Sequence, residues 1–380
     1  MADTPGHEEY TRNMAVGASF ADLAIILVDA SKGVLTQTKR HTYICSMMGI
    51  RHFVFAVNKM DLIDFDENKF KNLNKMIRVL MAEFEYDSLA VIPVSATDGD
   101  NITKASQHTL WYSGEPLLSY LEHVDVREKD AEKGFAMPVQ RVCRPDQSFR
   151  GFEGQIESGQ VAVGDEIVVL PSGETAHVKR ILDAAKEVEC SGKGHAVTLE
   201  LDKEIDISRG SVLVKGRQLS VCRFFTARLL WMDDERLVAG KDYLLELGTK
   251  KVPAMVMNIK HKVNVNDGSE MLAGELYKNE LAVCDLSTTE KVVLDRFEES
   301  RGLGAFILID RVTHMTCACG VVLHPLRRSD NLTWHDMDIT KKSAWKVMCL
   351  SLCFRPEKRK ENSCRASMPG QTAISRNPFF

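Results

Sequence analysis

The sequence predicts a multidomain α/β plus β protein, with a parallel-sheet domain followed by two antiparallel β-barrels. Buried-type strands alternate with amphipathic helices as far as residue 124, which is the pattern of a doubly wound parallel sheet. A charged stretch over 125–134 then lacks any hydrophobic period. From Met137 to about Val322, short alternating apolar runs are separated by Gly, Asp and Ser, which is typical of antiparallel strands.

The elements of the first region follow from their hydrophobic periods. Continuous apolar runs predict strands within 21–30, 52–61 and 89–96, and three-to-four spacing of apolar residues predicts helices over 34–49, 66–85 and 114–124. The composition shifts predict an α/β domain, a first barrel, a second barrel and a junction with a basic, disordered tail, over 1–124, 135–216, 219–324 and 325–380.

Composition excludes several classes of protein. The 380 residues carry a net charge of −4 and are 44% apolar, as in a globular protein and unlike one that wraps nucleic acid. The ten cysteines include no Cys-x-x-Cys pair, which argues against a zinc site. No apolar run reaches the roughly eighteen residues that span a bilayer. We therefore predict a cytoplasmic protein with reduced thiols.

The first motif with chemical meaning is Asp-Thr-Pro-Gly-His at 3–7, in a loop before the first strand. The Asp3 carboxylate suits a water molecule bound to Mg²⁺, and the Gly6 amide suits an oxygen of a γ-phosphate. Alone the motif is weak, because a single histidine such as His7 is more often structural or solvated than catalytic.

Two further motifs follow the next two strands. Asp61 of Asn-Lys-Met-Asp (58–61) is placed to accept hydrogen bonds from the N1–H and exocyclic amine of guanine, a donor pair that adenine lacks. Asn58 would tie the loop together, and the Lys59 stem would lie along the base. Ser95 and Ala96 follow the third strand and would offer backbone N–H groups to guanine O6. The order and strand context of all three motifs predict a GTPase-type domain.

The phosphate-binding loop of such a domain, Gly-x-x-x-x-Gly-Lys-[Ser/Thr], does not occur in these 380 residues. The switch segment that supplies a magnesium-binding Thr is also missing. The prediction is therefore an incomplete P-loop GTPase domain, N-terminally truncated, which by itself neither binds GTP tightly nor hydrolyses it.

The motifs resemble the translation-factor class of GTPases, the relatives of elongation factor Tu. Within that class the chain resembles the large GTPase subunit of bacterial sulfate adenylyltransferase over residues 2 to about 324. The segments that carry this resemblance include EYTRNMAVGAS (9–19), WYSGEPLL (111–118), PVQRVCRPDQSFRGFEGQIESGQVAVGD (138–165), VVLDRF (292–297) and FILIDRVTHMTCACG (306–320).

The resemblance implies a GTPase that drives adenylyl transfer from ATP to sulfate, with ATP bound by a separate small adenylyltransferase subunit. It implies GTP and Mg²⁺ as ligands and His7 as the residue that orients the attacking water, with Gly6 sensing the γ-phosphate. In fused relatives an adenylylsulfate kinase follows. Membrane and nucleic-acid partners are not expected. Two alternatives stay open, a translation elongation factor-like GTPase and a non-catalytic scaffold for partner binding.

Overall fold

The computed structural model describes residues 3–4, 11–126, 133–146, 149–184, 186–265 and 268–326. These residues belong to one compact unit. The predicted tail and His7 lie outside the described residues, as does Gly6. Among the helices that the structure describes, none is long and apolar enough to cross a membrane. The cytoplasmic location remains a prediction.

The first region is an α/β layer with a parallel three-stranded sheet, as predicted. Its elements are α1 (Thr11–Ser19), β1 (Leu23–Asp29), α2 (Thr36–Met47), β2 (His52–Asn58), a 3-10 helix (Met60–Ile63), α3 (Glu67–Met81), β3 (Ser88–Pro93) and α4 (Leu117–His123). The sheet order is β1-β2-β3, with Leu23 opposite His52 and His52 opposite Ser88. Apolar residues cover both faces of β2, which explains its uninterrupted apolar sequence.

The helix α1 is an element that the sequence analysis did not predict. Its buried residues are Thr11, Met14, Ala15 and Ala18, which recur at three- and four-residue intervals on one face. The helix has only nine residues, and Gly17 interrupts its apolar pattern. Short helices with weak intrinsic propensity form because tertiary packing stabilises them, so the local sequence gave little signal.

The second region begins with a sheet of short antiparallel strands. Its strands are β4 (Phe135–Pro138), β5 (Arg141–Cys143), β6 (Gly151–Gln155), β7 (Gln160–Ala162), β8 (Glu166–Leu170), β9 (Glu174–Asp183), β10 (Lys186–Val188), β11 (Cys190–Gly192), β12 (Ala196–Leu201) and β13 (Val212–Lys215). The main order is β4-β13-β8-β9-β12-β6-β5, with β10 on β9 and a separate β7–β11 pair. Inward-facing side chains of these strands share one hydrophobic core.

The third region is a closed barrel. Its elements are β14 (Ser220–Trp231), β15 (Leu237–Val238), β16 (Asp242–Leu247), β17 (Lys250–Val263), β18 (Glu270–Met271), β19 (Glu275–Leu276), β20 (Leu281–Leu294), α5 (Arg301–Gly304), β21 (Ala305–Asp310) and β22 (Thr316–Pro325). The order β16-β21-β22-β14-β20-β17 closes through the pairing of β17 with β16. Closure leaves these six strands without a free edge.

The barrel packs directly against the α/β layer. Outward-facing Leu230, Leu281 and Val321 belong to the same hydrophobic cluster as Met14 of α1. Arg12 donates hydrogen bonds to the carbonyl oxygens of Thr316 and Met232, at 3.0 and 3.4 Å. Arg301 of the barrel donates to the carbonyl oxygen of Gly49, at 2.9 Å. Apolar burial and polar contacts together fix the barrel on the layer.

Candidate functional site

The candidate site lies where the parallel strands end. Asp29 is the last residue of β1 and pairs in register with Asn58, the last residue of β2. Val57 pairs in the same way with Pro93, the last residue of β3. Because parallel strands end at one edge of their sheet, the three loops that follow meet there. The structure therefore brings together the predicted residues from 58–61 and 95–96.

Asn58 joins two of these loops. Its Oδ1 accepts hydrogen bonds from the backbone N–H of Lys59 at 2.8 Å and of Ala96 at 3.0 Å. Lys59 has a φ of 66°, a left-handed conformation that lets the chain turn from the strand into the 3-10 helix. The predicted tying role of Asn58 therefore has a geometric basis.

Asp61 is held from the third loop. The buried hydroxyl of Ser95 donates to Oδ1 of Asp61 at 2.9 Å, and Oδ2 of Asp98 lies 3.1 Å from the same hydroxyl. A hydroxyl has one proton, so it serves one carboxylate at a time. Within the described part of the chain, Ser95 is the donor to the Asp61 side chain. The other carboxylate oxygen thus keeps its acceptor capacity for a ligand.

The backbone amides of Ser95 and Ala96 have partners inside the protein. Ser95 N–H donates to the carbonyl oxygen of Asp100 at 3.3 Å, and Ala96 N–H donates to Asn58. A guanine O6 at this position would have to share the Ala96 N–H with Asn58. The contact of the Ser95 and Ala96 N–H groups with the base remains a prediction.

Asp29 is a site residue that the sequence analysis missed. Lys59 Nζ donates to its Oδ2 at 2.8 Å, while its Oδ1 accepts from the backbone N–H and hydroxyl of Ser31 at 2.9 and 2.6 Å. The hydrogen bond from Lys59, followed by those from Ser31, holds the pKa of Asp29 well below its usual range. The carboxylate therefore stays ionised and anchors the Lys59 ammonium. The sequence signal that could have identified Asp29 was its position at the end of a predicted strand.

The predicted magnesium and phosphate contacts have less structural support. Asp3 is exposed, and the described residues contain no group of three or more His, Cys, Asp or Glu side chains arranged to hold a metal ion. Carboxylate oxygen is nonetheless the donor type that Mg²⁺ prefers, usually together with several waters. The role of Asp3 toward Mg²⁺ stays a prediction, like the roles of Gly6 and His7.

A large cleft of about 1520 Å³ lies away from these loops. Its walls include Tyr43 and Arg51 of the α/β layer, Glu157 of the second region and Arg228 of the barrel. None of the five residues from 58–61 and 95–96 named above lines it. The cleft and the loops at the strand ends are therefore separate features of the molecule.

Comparison with known families defines the class of protein. Residues 1–149 match the elongation factor Tu GTP binding domain, and residues 224–323 match the GTP-eEF1A C-terminal domain-like family. The chain is therefore a translation-factor-type GTPase in its domain composition, with an elongation factor Tu-like domain before the β-barrel region.

Several relatives carry the name sulfate adenylyltransferase subunit 1. Sulfate adenylyltransferase subunit 1 of Cellvibrio japonicus is 44% identical over 328 residues, which cover 86% of this chain and 70% of that protein. The same subunit of Aliivibrio fischeri strain MJ11 is 44% identical over 85% of this chain and 68% of its own length. The chain belongs to the sulfate adenylyltransferase subunit 1 family.

Longer relatives also match. The bifunctional enzyme NodQ of Rhizobium sp. strain N33 is 46% identical over 343 residues, which cover 90% of this chain but 53% of that protein. NodQ of Rhizobium meliloti strain 1021 is 45% identical over 90% of this chain and 54% of its own length. The chain thus spans about half the length of these relatives.

Proposed function

We propose that this chain is the GTP-binding subunit of a sulfate adenylyltransferase and couples GTP hydrolysis to the formation of adenosine 5′-phosphosulfate from ATP and sulfate. Sulfate is a poor nucleophile and formation of the product anhydride is strongly uphill, so coupling to GTP hydrolysis would drive accumulation of the product. Membership of the subunit 1 family supports this proposal. The small subunit would bind ATP and perform the adenylyl transfer.

The observation that carries the proposal is the arrangement around Asn58. The Asn58 amide oxygen fixes the loops after β2 and β3 against each other. The Asp61 carboxylate accepts from the Ser95 hydroxyl through one oxygen, which leaves its other oxygen as an unused acceptor. Such a carboxylate selects guanine because N1–H and the exocyclic amine form a matched donor pair. Lys59, anchored by Asp29, would contribute its stem along the face of the base.

The phosphate end of the nucleotide is assigned by resemblance. Gly6 would donate its amide to the γ-phosphate, His7 would orient the attacking water, and Asp3 would support Mg²⁺ through a water molecule. When bound, Mg²⁺ neutralises charge that develops on the phosphate oxygens. Because these 380 residues contain no Gly-x-x-x-x-Gly-Lys-[Ser/Thr] sequence, we expect the chain by itself to bind GTP weakly and to hydrolyse it negligibly.

The test is base selectivity. In Asp61→Asn, the side-chain amide presents a donor where xanthine has a carbonyl at C2, so preference should move from guanosine to xanthosine diphosphate. Losing a charged acceptor from a two-bond contact should weaken guanosine diphosphate binding about tenfold to a hundredfold. Asp64→Asn, three residues further on and exposed, is the matched control. Equal affinity for both nucleotides in the wild-type chain would refute the guanine site.

Association with a partner is tested separately. The 380-residue chain should co-purify with the small adenylyltransferase subunit and should not retain aminoacyl-tRNA. Retention of aminoacyl-tRNA would favour the elongation factor-like alternative instead. Capture of the small subunit by a chain that fails to bind guanine nucleotides would favour the non-catalytic scaffold, an alternative suggested by the missing phosphate-loop sequence.

A further inference from the structure

The outer edge of β1 has no partner among the described strands. The sheet order β1-β2-β3 places β1 at one end, and β2 is the strand with which all seven of its residues pair. Alternate residues of an edge strand direct their N–H and C=O groups away from the sheet, where a further strand can pair with them. The register with β2 runs from Leu23 to Asp29 without a shift, so this edge is regular along its whole length.

The sequence of β1 lacks the features that protect such an edge in other proteins. It contains neither proline nor lysine, and its one charged residue, Asp29, is at the end of the strand and pairs with Lys59. The opposite edge of the sheet differs. There β3 ends in Pro93, which has no N–H, and the Pro93 carbonyl accepts a hydrogen bond from the Asn101 side chain at 2.8 Å. The β1 edge is therefore the one that is open to pairing.

One face of β1 is also incompletely covered. Alternate residues of the strand pack into the hydrophobic cluster shared with α1 and α2, namely Ala24, Ile26 and Val28. On the other face, Leu23 and Ile25 are half-buried and Leu27 is 66% exposed. Parallel sheets are normally covered on both faces. An additional strand at this edge would bring apolar side chains beside Leu27 and extend the covered face.

We propose that β1 pairs in antiparallel orientation with β1 of a second copy of this chain, which gives a two-fold symmetric dimer. A two-fold interface requires a surface that is complementary to itself. The strand meets this requirement, because an axis beside Ile25 sets Leu23 opposite the partner's Leu27 and Ile25 opposite the partner's Ile25. The apolar side chains of the incompletely covered face then pack against each other across the two strands.

The charge at the end of β1 favours the antiparallel orientation. In this register the Asp29 carboxylates of the two copies lie eight residue positions apart, which is about 27 Å along the strands. A parallel pairing in register would place them side by side, where like charges repel. Each Asp29 also keeps its ion pair with Lys59 of its own copy, at 2.8 Å. The inference concerns assembly and does not rest on the proposed function.

The first measurement is the association of the full 380-residue chain, by sedimentation velocity over a concentration series. Wild type should show a reversible equilibrium between monomer and dimer. Leu27→Lys should raise the dimer dissociation constant at least about tenfold, because an ammonium group enters the apolar contact twice. The same position is exposed in the single copy, so the circular dichroism spectrum should be unchanged. Val79→Lys on α3, where Val79 is 65% exposed, is the matched control and should associate like wild type.

Disulfide capture tests the register. In Ile25→Cys the two new thiols face each other across the axis, whereas in Leu27→Cys they are four residue positions apart, about 14 Å. The tryptic peptide 13–32 contains no native cysteine, so a disulfide between two copies of this peptide reports on β1 alone. We expect mass spectrometry of the oxidised protein to find this linked pair in Ile25→Cys and not in Leu27→Cys.

Three results would overturn the proposal. The first is a wild-type chain that stays monomeric at every concentration, and the second is a dimer that Leu27→Lys leaves as stable as wild type. The third is equal linkage in Ile25→Cys and Leu27→Cys. Hydrogen exchange of peptides that cover 22–30 identifies other occupants of the edge. Protection that rises with protein concentration supports the second copy, whereas strong protection in a monomer would mean that another segment of the same chain covers β1.

Discussion

At the scale of single residues, the candidate site is organised by side chains that bind the backbone. Asn58 accepts two backbone N–H groups, and Asp29 holds both Lys59 and Ser31. Such contacts between side chains and neighbouring loops limit the conformations of segments that lack regular secondary structure. A guanine-selective carboxylate needs this support, because its specificity depends on the position of its oxygens.

The tying role of Asn58 is testable without a nucleotide. In Asn58→Ala, the N–H groups of Lys59 and Ala96 lose their acceptor, and each lost hydrogen bond is worth about 0.5–1.5 kcal/mol. Hydrogen exchange of the Ala96 amide should accelerate by about tenfold, measured by mass spectrometry on peptides that cover 94–98. Asn72→Ala, at an exposed position of α3, should leave it unchanged. Unchanged exchange in Asn58→Ala would show that Ala96 is held by other contacts.

The contribution of Asp29 should depend on pH. Its folded-state pKa is lowered from 3.8, so its stabilising effect is complete above the unfolded value and is lost as pH falls through the folded value. Asp29→Asn should therefore be less stable than wild type at pH 7, and the difference should narrow below about pH 4. Urea unfolding at several pH values measures this difference, and a gap that widens in acid would contradict the assignment. Asp64→Asn, on an exposed aspartate, is the control.

At the scale of elements, α3 shows what local sequence can predict. Phe70, Leu73, Ile77 and Leu80 are buried on one face, as their spacing predicts, whereas Met76, which the same spacing included, is exposed. The N-terminus is defined by Asp66, whose carboxylate accepts from the N–H groups of Asn68 and Lys69 at 2.8 and 3.2 Å. The predicted end at residue 85 was wrong, since the helix stops at Met81. The chain must turn there to reach β3, a requirement that no local period encodes.

The Asp66 cap gives a prediction for this element. Asp66→Ala leaves two N–H groups of the first turn without their side-chain acceptor and should lower the free energy of unfolding by about 1 kcal/mol. Asp66→Asn should retain most of the stability, because its amide oxygen still caps the helix. Urea unfolding provides the measurement, with Asn72→Ala expected to stay within about 0.5 kcal/mol of wild type. Equal stability of Asp66→Ala and wild type would show that the Asp66 side chain does not stabilise α3.

At the scale of the whole molecule, the main feature is the contact between α1 and the barrel. The helix α1 follows the predicted phosphate-sensing motif at 3–7, so this contact joins the start of the first region to the third region. Met14 shares a hydrophobic cluster with Leu230 and Val321, and Arg12 donates to the carbonyl oxygen of Thr316. These residues are more than two hundred positions apart in the chain. Both contacts therefore hold α1 against the barrel surface.

Arg12 gives the prediction at this scale. Arg12→Met keeps the apolar stem but removes the donors to Thr316 and Met232, so the free energy of unfolding should fall by about 1–2 kcal/mol. Because the contact joins two regions, proteolysis near α1 should also accelerate. Arg78→Met is the control, since the exposed Arg78 donates to Asn74 of its own helix. Unchanged proteolysis and stability in Arg12→Met would show that apolar packing alone holds α1.

The sequence by itself determined the class of fold, and it predicted five residues that the structure brings together at the strand ends. Strand and helix periods are local properties, so β1, β2, β3 and α3 could be predicted within a few residues. Asn58, Lys59, Asp61, Ser95 and Ala96 were predictable because strand ends meet at one edge of a parallel sheet.

Only the tertiary structure decided the remaining features. The helix α1 packs against a barrel that is distant in the sequence, and Asp29 pairs with Lys59 from the loop after β2. Each depends on residues far apart in the chain, whose distances are set by packing. Burial and pairing, and hence charge state and binding capacity, are properties of that packing and cannot be predicted from local pattern.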